Sequence, residues 1–285
     1  MMRYDVAIIG DGAAGVSAAL TLKSLNKNFI WFGKKTFSEK TRKAELIRNY
    51  PALPSVTGEA LAKAFLAHVE DMGIEMCERV VTGVYALGTH YAIACDKELF
   101  EAQTVILATG VETVKPIKGE MEFLGRGVSY CATCDGFLYK DKTIAVVCSS
   151  KEYLHEVEYL AQIAGKTYFI PMYKTDGNGV ENTELLRGIP TEITGDKKAN
   201  GLSFKDKTVP VDGVFFLKSA ISPSALVPGL EMENNHVKVD RECKTNLAGC
   251  FAAGDCTGRP YQYVKAAGEG NVAAHSAVAY LAKNK

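Results

Sequence analysis

The chain opens on a run that is apolar at nearly every position, Asp5-Val6-Ala7-Ile8-Ile9-Gly10. A run without polar alternation predicts a strand covered on both faces, as in parallel sheets. A helix is expected from about Ala13 to Asn26, and a second strand at 28–32. Residues 33–56 are polar and end in the break Asn49-Tyr50-Pro51-Ala52-Leu53-Pro54. From about Gly58 to Met72, Leu61, Phe65, Leu66 and Val69 fall on one helical face. Strand-like pieces are expected at 74–86, 91–95 and 103–108. A second buried-type strand at 143–148 precedes a helix at about 151–164 and a strand at 167–171. Short strands then lead to 211–217, and a helix closes the chain at about 263–283. Alternating strands and helices predict an α/β fold. The simplest organisation is one domain built from both chain ends, 1–112 and 242–285, with another, 113–241, inserted in its middle.

Composition changes this picture little. A chain of 285 residues can bury one large core or two medium ones. A formal net charge of zero gives no bulk pull toward nucleic acid or membrane, so neither is expected as a partner. The first residues read as a strand and not as a leader, and no apolar run approaches the roughly 18 residues of a membrane span. The expected location is therefore cytoplasmic. Cysteine changes the picture more. Of eight cysteines only Cys131 and Cys134 form a C-x-x-C; Cys77, Cys95, Cys148, Cys243, Cys250 and Cys256 are dispersed. A reducing cytoplasm argues against a disulfide framework. A structural zinc site would need a second ligand pair, and none is present, so no metal is expected. The pair reads as redox-active.

Gly10-Asp11-Gly12-Ala13-Ala14-Gly15 fits G-x-G-x-x-G between a strand and a helix, the context that makes this motif informative. The first glycine permits the turn, the second admits a pyrophosphate, and the third lets helix and strand pack closely. The helix N-terminus offers N–H groups and positive dipole charge to phosphates. The acidic residue expected about 20 positions on is missing. The strand end reads Trp31-Phe32-Gly33-Lys34-Lys35, so backbone at Gly33 or the side chain of Lys34 has to hold the ribose. This turn alone does not choose between nicotinamide and flavin dinucleotides.

Three further segments, read with the glycine turn, decide that choice: Ala108-Thr109-Gly110, Cys131-Ala132-Thr133-Cys134-Asp135 and Ala253-Gly254-Asp255. Together with Asn49-Tyr50-Pro51, Gln262 and Ala266-Ala267-Gly268, their order and spacing resemble the low-molecular-weight thioredoxin reductases over nearly the whole chain. The resemblance implies two dinucleotide-binding-type, Rossmann-like domains, the second inserted in the first, a FAD cofactor and a homodimer. It places the FAD pyrophosphate on Gly10, Gly12, Ala13, Ala14 and Gly15, and the ribityl chain at Asp255. Asn49 and Gln262 border the isoalloxazine. Gly33, Lys34, Val81, Ala108, Thr109, Gly110, Gly254, Tyr261 and Tyr263 complete the implied cofactor set. Cys134 would face the flavin, Cys131 would attack the partner disulfide, and Asp135 would handle the proton. Asp135 as a plain helix cap or turn residue is the other reading. Tyr261 stands where the family usually has arginine; covering the flavin and simple packing are equally open to it.

The match breaks at the second nucleotide site. Relatives that use NADPH carry a glycine turn after the strand near 143–148. Here the chain reads Val147-Cys148-Ser149-Ser150-Lys151-Glu152, and no glycine occurs between Gly136 and Gly165. The basic cluster that would read a 2′-phosphate is replaced by Ile170-Pro171-Met172-Tyr173-Lys174-Thr175-Asp176. The pattern resembles the ferredoxin-dependent flavin thioredoxin reductases, which implies reduced ferredoxin as donor and thioredoxin as acceptor. Residues 23–48 hold eight basic side chains, Lys23, Lys27, Lys34, Lys35, Lys40, Arg42, Lys43 and Arg48, against Glu39 and Glu45, a local net of +6. That run suits an acidic partner, or is a solvated loop. Three alternatives stay open: an NADPH-dependent reductase with a degenerate site, an oxygen-linked dithiol oxidase, and a flavin-binding sensor without turnover. The dispersed thiols Cys148, Cys250 and Cys256 read as small packed hydrophobes, with a redox role the other reading of Cys148.

Overall fold

The computed structural model describes residues 3–42, 44–95, 98–111, 116–130, 132–175, 180–218 and 222–284; of Glu39, Lys40, Cys134 and Glu152 the backbone alone is described. In chain order the elements are β1 (Tyr4–Ile9), α1 (Ala13–Ser24), β2 (Phe29–Phe32), α2 (Glu39–Arg42), α3 (Gly58–Asp71), β3 (Val81–Ala86), β4 (Tyr91–Cys95) and β5 (Glu98–Leu107). There follow β6 (Val128–Ser129), α4 (Ala132–Asp135), β7 (Thr143–Cys148), α5 (Leu154–Ile163), β8 (Lys166–Pro171), β9 (Thr183–Leu185), β10 (Glu192–Gly195), β11 (Ala199–Ser203), β12 (Thr208–Pro210) and β13 (Gly213–Leu217). The last elements are α6 (Pro223–Leu226), β14 (Met232–Glu233), β15 (His236–Val237), β16 (Cys250–Ala252) and α7 (Tyr263–Lys283).

The chain divides into two compact units, residues 1–111 with 226–285, and residues 112–225. Residues 226–241, expected in the inserted part, belong to the first unit instead. The reason is local: the β14–β15 hairpin carries His236 onto Tyr261, ahead of α7. The first domain boundary, expected after residue 112, falls beside residues 112–115, which lie outside those described.

The first unit is built on a sheet of order β2-β1-β5-β4-β3, with β16 also on β5. β2, β1, β5 and β16 run parallel, and β3 and β4 add an antiparallel hairpin to the first half of β5. The apolar runs pair side by side: Val6, Ala7 and Ile8 against Thr104, Val105 and Ile106 in register, all fully buried. α1 and α7 pack closely against each other, which the missing side chain of Gly270 permits: a Cβ there would run into the Ala14 carbonyl. α3 starts at its Thr57 cap, which accepts from Ala60 N at 3.2 Å. Its Leu61 and Val69 are buried, and Phe65 and Leu66 pack against the same core, the face expected from the sequence.

Several boundaries differ from expectation, among them β5, expected at 103–108 but starting at Glu98, where it pairs with β4. α1 ends at Ser24 and not Asn26, because Asn26 turns to φ 51° and Lys27 N donates to Leu22 O, which closes the last turn. Of 74–86 only Val81–Ala86 is strand; Cys77 instead makes a single bridge to Phe32. The helix after β7 opens as a 3-10 turn, Lys151–Tyr153, and becomes α-helical only at Leu154.

The second unit has a parallel sheet of order β6-β13-β7-β8-β9, with α5 packed against it, and a small antiparallel sheet β10-β11-β12. Its buried residues form two clusters, one around Val146 and Phe215 and one around Val214 and Leu202. Among the described residues no helix is long and apolar enough to cross a membrane.

Candidate functional site

In the first unit β1, β5 and β16 end side by side. Ala108 N donates to Ile9 O at 2.8 Å and Ala253 N to Leu107 O at 2.9 Å. Three of the segments singled out in the sequence therefore emerge together, at the carboxyl ends of parallel strands where α/β sheets bind ligands. Gly10 has φ 119°, and a Cβ there would collide with the Ala108 carbonyl. A Cβ at Gly15 would strike the Gly10 carbonyl, which also accepts from Trp31 Nε1 at 2.8 Å. The space over Gly12 is open to 4 Å. Gly12 caps α1 without a side-chain oxygen, and the first turn, which begins at Ala13 and Ala14, holds no acid. Its N–H groups and dipole are left for an anion. Thr109 Oγ1 is buried beside the Cys256 thiol without a partner at hydrogen-bonding geometry, and Gly110 follows with φ 69°. Bare backbone and open space fit a dinucleotide.

Asp11 is the residue the sequence reading missed. Its Oδ2 accepts from Lys34 N at 2.8 Å, which ties the glycine turn to the Gly33–Lys34 strand end. Burial pushes its carboxyl pKa up, against the lowering pull of that backbone bond and of Lys34. The carboxylate thus braces the turn against the end of β2. Its partner lies 23 residues away, so no local signal marked it.

The Gly254–Asp255 turn is held by α7. Glu269 Oε2 accepts from Gly254 N at 2.8 Å and Thr257 Oγ1 at 2.7 Å. Lys265 Nζ donates to Gly254 O at 2.8 Å and Gly258 O at 2.9 Å, and pairs with Glu269 at 3.0 Å. A Cβ at Gly254 (φ 89°) would lie 3.0 Å from Ala14 Cβ, so the turn rests on α1. Tyr263, the first residue of α7, reaches back to Thr41; burial raises its hydroxyl pKa, Thr41 lowers it, and Asp255 raises it. Thr41 O sits where a Cβ at Gly58 would fall, so the polar stretch, α3 and α7 meet there. Gln262 caps α7 through its backbone alone. Tyr261 beside it is 40% exposed. Asn49 is exposed in a loop closed by the Ile47–Val56 bridge, and Val81 is buried at the start of β3 opposite Cys95.

In the second unit Cys131 lies outside the described residues, and Cys134 sits in α4, with its side chain undescribed. The residues around the pair are held by carboxylates. Ser129 Oγ donates to Asp135 Oδ2 at 2.6 Å, and that carboxylate makes no helix-cap bond. Tyr130 Oη donates to Glu120 Oε1 at 2.6 Å, and Lys218 Nζ reaches the same oxygen at 2.7 Å. Glu120 is 1% exposed, and the Lys218 ammonium lies 4.9 Å from the Tyr130 ring centroid. A buried pair of this kind needs its extra bonds to offset desolvation.

The end of β7, where a second glycine turn would stand, is filled. Cys148 is fully buried, and its Sγ donates to Ser150 O at 3.1 Å. The first turn of α5 carries Glu156, whose charge opposes an anion there. Burial pushes the Cys148 thiol up to about 11, Cys256 to about 11 and Cys250 to about 12. At neutral pH these are protonated and unreactive. Among the described residues no cluster of His, Cys, Asp and Glu could hold a metal.

Comparison with known proteins places this geometry. The family model described as pyridine nucleotide-disulphide oxidoreductase matches residues 4–150 and 184–270. The thioredoxin reductase of Aquifex aeolicus (strain VF5) is 32% identical over 274 residues, covering 88% of this chain and 85% of that one. The thioredoxin reductase of Helicobacter pylori (strain J99 / ATCC 700824) is 34% identical over 311 residues, covering 97% and 98%. A crystal structure of a ferredoxin-flavin thioredoxin reductase from Clostridium acetobutylicum is 47% identical with a TM-score of 0.89, covering 99% of each chain.

Proposed function

The chain belongs to the pyridine nucleotide-disulphide oxidoreductase family, and from that premise we propose that it reduces thioredoxin disulfides with electrons from reduced ferredoxin and not from NADPH. It is a flavin disulfide oxidoreductase with FAD as cofactor. The observation that carries the choice of donor is the end of β7: Cys148, Ser149, Ser150 and the 3-10 turn at Lys151 stand where a nucleotide needs bare glycine backbone. An acid in the first turn of α5 compounds this. The 47% identical relative with ferredoxin in its name supports the same reading.

When bound, FAD supplies a carrier that takes electrons one at a time and gives them up in pairs. Gly10, Gly12, Ala13, Ala14 and Gly15 hold its pyrophosphate against the α1 N-terminus, and Asp255 takes the ribityl hydroxyls. Gly33, Lys34 and Val81 border the adenosine end. Asn49, Ala108, Thr109, Gly110, Gly254, Tyr261, Gln262 and Tyr263 line the rest. In the reduced dithiol, the Cys131 thiolate attacks one sulfur of the thioredoxin disulfide, and the partner's other sulfur leaves as thiolate. Cys134 then attacks the Cys131 sulfur of the mixed disulfide and releases the second thiolate. The two enzyme protons end on the two partner sulfurs, with Asp135 passing one of them. Ser129 orients the Asp135 carboxylate for this.

The energetics suffice. Plant-type ferredoxins lie near −400 mV and thioredoxin near −270 mV, a gap of roughly 130 mV or about 6 kcal/mol for two electrons. The test is anaerobic. Photoreduced ferredoxin with this protein is expected to reduce thioredoxin, and Cys131→Ser to abolish it. Bleaching of the flavin by NADPH at a comparable rate would overturn the choice of donor.

A further inference from the structure

The β14–β15 hairpin turns on Asn234 and Asn235, both with positive φ (51° and 63°), a pairing that asparagine tolerates in two-residue turns. The turn delivers His236 over Gly258, its Cγ 4.0 Å from where a Gly258 Cβ would stand. His236 Nε2 lies 2.6 Å from Tyr261 Oη, and the two ring centroids are 5.9 Å apart. Arg259 Cζ is 5.4 Å from the Tyr261 ring centroid. Tyr261 is thus fixed at its hydroxyl and along its ring while 40% of it stays exposed. Ordering an exposed tyrosine costs side-chain entropy that burial does not repay. A ring held open in this way suits a planar partner. It sits between the Asp255 turn, which Lys265 and Glu269 pin, and Gln262, the cap of α7.

We propose that Tyr261 presents its ring to the FAD ring system, and that His236 is the positioning residue that holds it there. The inference rests on the cofactor placement given above. It separates the two readings of Tyr261, and it assigns His236 a task that the disulfide chemistry does not require.

Flavin emission in the oxidised holoenzyme tests it, because a phenol in contact with a flavin quenches emission by electron transfer and a phenyl ring does not. Tyr50 and Tyr263 stay intact throughout, so differences report on Tyr261. Tyr261→Phe is expected to raise emission severalfold. His236→Ala is expected to raise it as well, because the ring is released. His236→Gln, whose amide still bonds the hydroxyl, is expected to keep the original emission. Flavin content and Tm are measured alongside, to show that each variant is folded and loaded. Unchanged emission in Tyr261→Phe would show that the ring does not touch the cofactor. A rise in Tyr261→Phe without one in His236→Ala would remove His236 from the role. A protein that takes up no stoichiometric FAD would sink the cofactor placement itself, and this inference with it.

Discussion

At the scale of single residues, Asp11 is the side chain whose behaviour departs most from its sequence context. Its pKa is raised in the folded protein by burial. Between the unfolded and folded pKa values the native state keeps a proton that the unfolded state has lost. Stability therefore falls as pH rises through that acidic window, and the penalty is constant above it. Asp11→Asn keeps an acceptor for Lys34 N and removes the charge. The FAD-free variant is expected to unfold later than the parent at neutral pH, with a gap that closes toward the ordinary carboxylate pKa. Urea titrations from acid to neutral pH read this directly; a gap independent of pH would refute the burial argument. The glycine turn itself was legible residue by residue, because each glycine answers a backbone demand stated by the motif. Asp11 was not. Its bond to Lys34 joins residues 23 apart, and nothing in either neighbourhood announces it.

At the scale of elements, α7 does more than cover the sheet. Its Lys265 and Glu269 stand one turn apart and together hold the Gly254–Asp255 loop. Glu269→Ala would leave the Gly254 N–H and the Lys265 ammonium without that carboxylate, a loss of about 1–3 kcal/mol. FAD affinity is expected to fall by roughly tenfold or more, measured by equilibrium dialysis, with Glu269→Gln in between. Equal affinities in all three proteins would show that the loop needs no such support. The helix was expected from the sequence at the residues where it is found, since its apolar spacing is a local property. The pinning was hidden, since a Lys/Glu pair at this spacing reads as an exposed helix pair of small worth. The same contrast holds for β7: its apolar run marked the strand, while the 3-10 start of the next helix did not show in the pattern.

For the molecule as a whole, charge distribution matters more than net charge. Zero overall charge conceals the +6 of residues 23–48, all in the first unit. If that run steers an acidic iron–sulfur partner, reversing Lys27, Arg42 and Arg48 to Glu should raise KM for ferredoxin about tenfold or more at low salt, and the difference should shrink as salt screens it. Flavin content and chemical reduction by dithionite should stay as in the parent. A KM that does not respond to the reversal or to salt would return the run to a solvated loop.

The sequence by itself determined what depends on neighbours along the chain: the buried strands, the face of α3, the glycine turn, the cysteine pair and the lost second turn. Periodicity and backbone permission act over a few residues, so a linear reading captures them. Only the tertiary structure decided which distant groups share an atom. It set Glu269 on Gly254 across 15 residues, His236 on Tyr261 across 25, and Lys218 on Glu120 across 98. It also moved residues 226–241 into the first unit. Such pairings are fixed by how packed elements bring side chains within a few ångströms, and that distance is not a property of either segment alone.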